Sequence, residues 1–321
     1  MPPLKATDDL TSLGIAWKGG PQTWRTIPRT IVPVCSAQGV VKAGTETRFT
    51  LKPSHTLGAG TFGLVDAFWR IPPDSTPPRL VALKRPRHPA VDIFIEALIQ
   101  WRIRKSLEEY GLAFCVPEVI DIIRDQRTGS IWFTMEAFSP SLLSDWIRRP
   151  DVSRHFGKVL LQLALLLEVL EVELLIDHRD LKVNNLLILD EPVEVSIDWN
   201  EQPITLHFPF RIILVDFGFT CEGGLMDVRA GDGLPPLDAC PKLGRDLFQI
   251  LVSLWSLREL RDQLETTWGA FIRACIEPYA SWVDSKPSLD WMYTVTDKSE
   301  FTAPRCAPSL IITECMSRIE R

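Results

Sequence analysis

The chain has 321 residues, of which 45% are apolar and 24% charged, with a net charge of −6. This length exceeds what one compact core usually absorbs and points to two domains or lobes, while the acidic balance argues against a general nucleic-acid binder. Seven scattered cysteines without a CxxC pair make a disulfide framework or a zinc site unexpected and favour a reducing, intracellular setting.

The opening MPPLKATDDL lacks the apolar stretch of a secretory signal. Residues 1–45, rich in Pro, Thr and Gly, read as an N-terminal extension, with IVPV (31–34) as a short edge strand. In residues 46–138, TRFTL, GLVDAFWR and RLVALK alternate like strands, separated by the turn-rich LGAGTFG and IPPDSTPP. AVDIFIEALIQWRIRKSLEEY (90–110) has helical apolar spacing, and VPEVIDIIRD and SIWFTMEAF add two strands. The expectation is a small, mostly antiparallel sheet with one helix.

Residues 139–321 turn helical. SLLSDWIRR, GRDLFQILVSLWSLREL and TTWGAFIRACIEPYASWV each suit a helix. VLLQLALLLEVLEVELLI (159–176) is the most apolar stretch, but Gln162, Glu168, Glu171 and Glu173 interrupt it. A membrane span needs about 20 mostly apolar residues, so a buried helix is expected and no membrane association. NLLIL and RIILVDF read as short strands, and the alternating EPVEVSIDWNEQPITLHFP between them as a hairpin inserted at about 190–209. The fold class is therefore α+β, a β-rich first part joined near 136–140 to a mostly helical second part. Ligands often bind at such junctions.

Four stretches carry chemistry. LGAGTFGLV places Gly58, Gly60 and Gly63 in a G-x-G-x-x-G pattern. A strand rather than a helix follows, so the pattern suits a turn that folds over phosphates, not a dinucleotide fingerprint. Lys84 ends the apolar strand VALK and needs an anion to hold it; Glu96, on the following helix, supplies one. HRDLKVNN (178–185) sets Asp180, Lys182 and Asn185 between apolar segments. A carboxylate can accept a hydroxyl proton, a lysine can neutralise a transferring phosphoryl group, and an amide oxygen can ligate Mg²⁺. LVDFG then places Asp216, a hard oxygen ligand, at the end of a second strand.

In this order the set GAGTFG–VALK–Glu96–HRDLKVNN–DFG resembles the eukaryotic-type protein kinase superfamily, and the lysine of HRDLK resembles its serine/threonine type. The resemblance covers about residues 55–250 and implies a two-lobed kinase fold. The first lobe would be an antiparallel sheet with one helix, the second mostly α-helical. It also implies Mg²⁺ and ATP as cofactors and a protein Ser/Thr hydroxyl as acceptor. Gly58, Gly60 and Gly63, with Leu57, would cover the ATP phosphates. Lys84 would hold the α- and β-phosphates and pair with Glu96. Val65 and Ala82 would line the adenine pocket, Met135 its back, and the backbone of Glu136 to Phe138 its edge. Asp180 would be the catalytic base with Lys182 at the γ-phosphate, and Asn185 and Asp216 the metal ligands. A kinase-fold scaffold without activity and a small-molecule or lipid kinase are the competing expectations.

The chain departs from the family after DFG. No A-P-E closes the segment FTCEGGLMDVRAGDGLPPLDACPKLGRD (219–246), and no Ser, Thr or Tyr follows Thr220 within it. This narrower pattern is reminiscent of divergent kinases of large DNA viruses. Arg179 thus has no phosphorylatable partner beyond Thr220, and constitutive activity is expected, with Glu222, Asp227 or Asp232 standing in as the anion. Asp246 resembles the buried aspartate that braces the catalytic loop, or serves as a helix cap.

Overall fold

Alternating apolar residues in the first third of the chain close a sheet on itself. The computed structural model describes residues 10–17, 21–59, 63–139, 141–199, 201–223, 240–264 and 268–319. These fall into two units, one of residues 10–106 with Pro117–Phe138, the other of Leu107–Val116, residues 139–223 and residues 240–319.

The first unit holds β1 (Val34–Cys35), β2 (Val40–Ala43), β3 (Glu46–Ala59), β4 (Gly63–Ile71), β5 (Arg79–Pro86), helix α1 (Phe94–Glu108), β6 (Val119–Asp125) and β7 (Ile131–Glu136). Their order is β1-β2-β3-β4-β5-β7-β6, closed by a parallel pairing of Val34–Cys35 with Arg124–Asp125. Inside sit Cys35, Val41, Phe49, Leu51, Val81, Leu83 and Ile123, with Phe68 and Trp132 against them. Because strand side chains alternate faces, Ala82 and Lys84 point outward from the same strand that sends Val81 and Leu83 inward. Asp92 caps α1 by accepting the Phe94 N–H at 2.9 Å.

Two expectations are corrected here. Residues 34–43 are strands of the barrel and not part of a separate extension, and Leu10, Ile15 and Trp24 are fully buried. The sheet closes into a barrel because a two-residue ladder joins its edges, a feature too short to leave a sequence pattern.

The second unit contains β8 (Ser141–Leu142), α2 (Leu143–Trp146), α3 (Val152–Glu168), β9 (Ile176–Asp177), β10 (Leu186–Leu189), β11 (Val193–Trp199), β12 (Gln202–Phe208), β13 (Arg211–Leu214) and β14 (Cys221–Glu222). After these come α4 (Arg245–Trp255), α5 (Arg258–Leu264), α6 (Ala270–Ile276), α7 (Ala280–Ser285), α8 (Asp290–Thr296) and α9 (Pro308–Ile319). α3 passes into a wider π-type turn at Val169–Glu173. Its buried Gln162 is not a defect in an apolar helix: Oε1 accepts the Ile212 N–H at 2.5 Å and ties α3 to β13. β11 and β12 form an antiparallel hairpin from Val193↔Phe208 to Trp199↔Gln202. Among the described residues, no helix is long and apolar enough to cross a membrane.

The stretch 266–283, expected as one helix, is two, α6 and α7, because Pro278 lacks the N–H that would continue the ladder. The stretch 244–260 likewise divides into α4 and the start of α5. A further correction concerns the cysteines. Cys221 and Cys240 form a disulfide, against the expectation that no disulfide framework forms, while Cys35, Cys115, Cys275, Cys306 and Cys315 are buried thiols.

α4 is the central helix of the second unit, buried from Arg245 to Leu254. Its start is fixed by Gly244, whose φ is +70° and whose N–H donates to both oxygens of Glu171 at 3.1 and 3.0 Å. A Cβ on Gly244 would lie 2.3 Å from the Ala303 carbonyl oxygen. Gly244→Ala should therefore destabilise the protein by about 2 kcal/mol or more, read by denaturant unfolding. Burial pushes the Glu171 carboxyl up to about 8, against the pull of the Gly244 N–H, and nearby Asp177 and Asp246 add to the rise. The folded state thus holds a proton that the unfolded chain releases. The stability this group contributes is complete below its ordinary 4.5 and is lost as pH climbs through about 8. Thermal unfolding of wild type and Glu171→Gln checks this: between about pH 5 and pH 8 the wild type should lose more stability than the variant.

Candidate active site

In the first unit, the barrel's outward face gathers the residues singled out from the sequence. Val65 pairs with Lys84 across β4 and β5, and Ala82 pairs with Met135 across β5 and β7. Directly opposed residues share a face, so Val65, Ala82, Lys84 and Met135 form one patch. α1 lies over it: Gln100 Nε2 donates to the Pro117 carbonyl at 2.9 Å and meets Met135 Sδ at 3.6 Å. This docking brings Glu96 onto Lys84, and the two form a buried ion pair.

The turn between β3 and β4 returns the chain to the same lysine. A Cβ on Gly63 would meet Lys84 Cε at 3.1 Å, so the absence of a side chain there lets β4 pass close to the ammonium stem. Gly58 lies opposite Val65, and Leu57 is 41% exposed beside it. Gly60 falls outside the described residues. Glu136 donates its N–H to the Glu118 carbonyl at 2.9 Å, and its side chain stands 3.6 Å from Arg104; Phe138 is half-buried.

In the second unit the polar loop 178–185 is built from its backbone outward. Asp246, in the first turn of α4, accepts the N–H of His178 at 2.7 Å and of Arg179 at 2.9 Å. Gln249 Oε1 takes the Leu181 N–H at 3.2 Å, and Ser253 Oγ takes the Val183 N–H at 3.3 Å. Positions 246, 249 and 253 fall on one face of a helix, so one row of polar side chains holds the loop along its length. Arg179 sits at φ +66° and Asp216 at φ +67°, left-handed positions that non-glycine residues rarely take. Such strain persists where surrounding contacts over-determine it, and at Arg179 the Asp246 bonds do so.

Side chains then converge on Asp180. Lys182 Nζ donates to both carboxylate oxygens at 2.9 and 2.8 Å. Asn185 Nδ2 donates to Oδ2 at 3.0 Å and to the Asp180 carbonyl at 2.8 Å. With its nitrogen committed, the atom Asn185 can offer a hard cation is its amide oxygen, which suits Mg²⁺. The Asn185 carbonyl accepts the Val215 N–H at 3.0 Å, continuing the β10–β13 ladder in which Leu186 faces Leu214. Asn185 and Asp216 therefore leave the same end of that ladder, while the β11–β12 hairpin leaves the other. His178 Nε2–H donates to the Val215 carbonyl at 3.1 Å, and its ring meets Phe217 edge-on at 5.2 Å. The loop and the Asp216 turn are thereby locked together.

Four contacts involve residues the sequence reading did not name. Gln249 and Ser253 had a signal, the polar i, i+3, i+7 row in an apolar helix. Tyr293 Oη donates to Asp180 Oδ1 at 2.5 Å, and Asp297 Oδ1 accepts from Arg179 Nη2 at 3.1 Å. Asp297 thus supplies a carboxylate for Arg179 that was expected from Glu222, Asp227 or Asp232; Glu222 is buried in β14, and the other two lie outside the described residues. Burial and the Asp246 carboxylate push Asp177 above its ordinary range, against the pull of Arg245 at 3.4 Å.

Residues 129–235 match the family model described as poxvirus serine/threonine protein kinase. The match takes in the 178–185 loop and Asp216 but neither Lys84 nor Glu96. It agrees with the expected likeness to divergent kinases of large DNA viruses. No curated protein matches the chain.

Breaking one half of a buried ion pair is costly because the other charge stays behind. Lys84→Met should destabilise the first unit by about 3 kcal/mol, and the Lys84→Met, Glu96→Gln double variant by clearly less than the sum of the singles. Chemical unfolding of the four proteins in this cycle measures the difference.

Proposed function

We propose that the protein is a two-lobed serine/threonine protein kinase that transfers the γ-phosphoryl group of Mg·ATP to a protein hydroxyl. The observation that carries this reading is the state of Asp180. It is 4% exposed, its loop backbone is pinned by Asp246, and its carboxylate is aligned by Lys182 and Asn185. A carboxylate held this way is oriented to accept a proton from an attacking hydroxyl.

The remaining residues divide the work of positioning. Lys84, oriented by Glu96, would hold the α- and β-phosphates, with the glycine turn over them. Val65, Ala82 and Met135 present an apolar surface for the adenine ring, and the backbone of Glu136 to Phe138 its polar edge. Lys182 Nζ, whose side chain is 36% exposed, can swing from Asp180 toward the transferring phosphoryl group and neutralise its charge. Asn185 and Asp216 would hold Mg²⁺, which when bound neutralises the phosphates. Leaving one seat on Asp180 to the acceptor hydroxyl follows from the lysine's departure.

The test is phosphate transfer from Mg·ATP to casein and to a protein extract. Wild type should label protein, and Asp180→Asn should lower the rate by about 10²-fold or more while still binding Mg·ATP. Equal rates for the two proteins, or labelling of small molecules in place of protein, would sink the reading.

A further inference from the structure

Tyr293 and Asp297 belong to α8 and the residue after it, far along the chain from the loop they touch. Asp180 Oδ1 receives the Tyr293 hydroxyl at 2.5 Å and Lys182 at 2.9 Å, while Oδ2 receives Lys182 at 2.8 Å and Asn185 at 3.0 Å. A carboxylate has about four acceptor sites, so this one is fully engaged. The same segment grips its surroundings at three more points. Asp297 pairs with Arg179, the neighbour of Asp180, at 3.1 Å. Thr296 Oγ1 accepts from Gln249 Nε2 at 3.1 Å. The carbonyls of Thr296 and Lys298 accept from the buried Lys242 Nζ at 2.9 and 2.6 Å.

We infer that residues 293–298 are a positioning element for the reaction: Tyr293 orients the Asp180 carboxylate, and Asp297 supplies the anion that holds Arg179. This rests on the kinase reading and goes beyond it, since it says how the loop is held ready without an added phosphate. Thr220, the last hydroxyl residue before Asp246, is fully buried. The anchoring of Thr296, Asp297 and Lys298 distinguishes a brace from a displaceable plug. Of the three groups that donate to Asp180, Lys182 has the long, 36% exposed side chain that can leave for phosphate, and a seat it vacates serves the acceptor hydroxyl. Tyr293 stays. Burial and Asp180 both push its phenol well above the ordinary tyrosine range, so it remains a donor wherever the enzyme works.

The experiment uses the full chain with Mg·ATP and casein, comparing wild type, Tyr293→Phe, Asp297→Asn and Asp297→Glu. Two quantities are read: kcat and KM for ATP, and hydrogen exchange of the amides of residues 178–183. Tyr293→Phe and Asp297→Asn should each lower kcat about tenfold or more, with KM for ATP within about twofold, because neither residue is assigned to the nucleotide. Asp297→Glu should recover most of the rate. Amide exchange in 178–183 should quicken in Asp297→Asn while the barrel strands exchange as in wild type. A Tyr293→Phe protein with unchanged kcat overturns the inference, and so does one with raised kcat, which would make the hydroxyl a competitor of the acceptor. Quickened exchange throughout the chain overturns it too, as general loosening. If wild type transfers no phosphate, the kinase reading fails separately, and the exchange data alone decide: unchanged protection of 178–183 in Asp297→Asn refutes the brace.

Discussion

Two consecutive backbone N–H groups, those of His178 and Arg179, point into one buried carboxylate, that of Asp246. Most of what is distinctive in the second unit follows from this. Successive amides converge on one anion only where the chain turns sharply, and Arg179 makes the turn at φ +66°. A carboxylate 3% exposed in turn demands donors to offset its desolvation. The strain of the loop and the burial of the acid are thus solutions to each other. Gly244 fixes where α4 begins, and with it the position of Asp246, Gln249 and Ser253 along the loop.

The barrel of the first unit solves a different problem. A lysine and a glutamate are to be held out of water without a void around them. Closure of the sheet gives the apolar side chains an interior of their own, which leaves the opposite face available. α1 then covers that face and delivers Glu96 to Lys84. The pair belongs to the outside of the barrel, beneath a helix, and its geometry is dictated by the pleat of β5 and the register of β4, β5 and β7.

Much of this was legible in the sequence where chemistry restricts residue type. Asp180, Lys182, Asn185 and Asp216 stood out because charged and amide groups between apolar strands call for a reason, and Lys84 with Glu96 because a lysine ending a buried strand needs an anion. What was not legible depended on distance along the chain. Tyr293 lies 113 positions from Asp180 and Asp297 lies 118 from Arg179. α8 spans only Asp290–Thr296, too short for a periodic signal. The β1–β6 closure and the Cys221–Cys240 bond likewise join segments whose local patterns say nothing of each other. The break at Pro278 is a different kind of miss, since the proline was there to be weighed against the apolar spacing around it.

The β11–β12 hairpin separates Asn185 from Asp216 in sequence without separating them in space, because it emerges from the far end of the β10–β13 ladder. Chain length between those two residues is therefore decoupled from their geometry. An evolving lineage can lengthen, trim or redecorate that excursion as raw material for new associations while the polar cluster at the opposite end stays sheltered from the change.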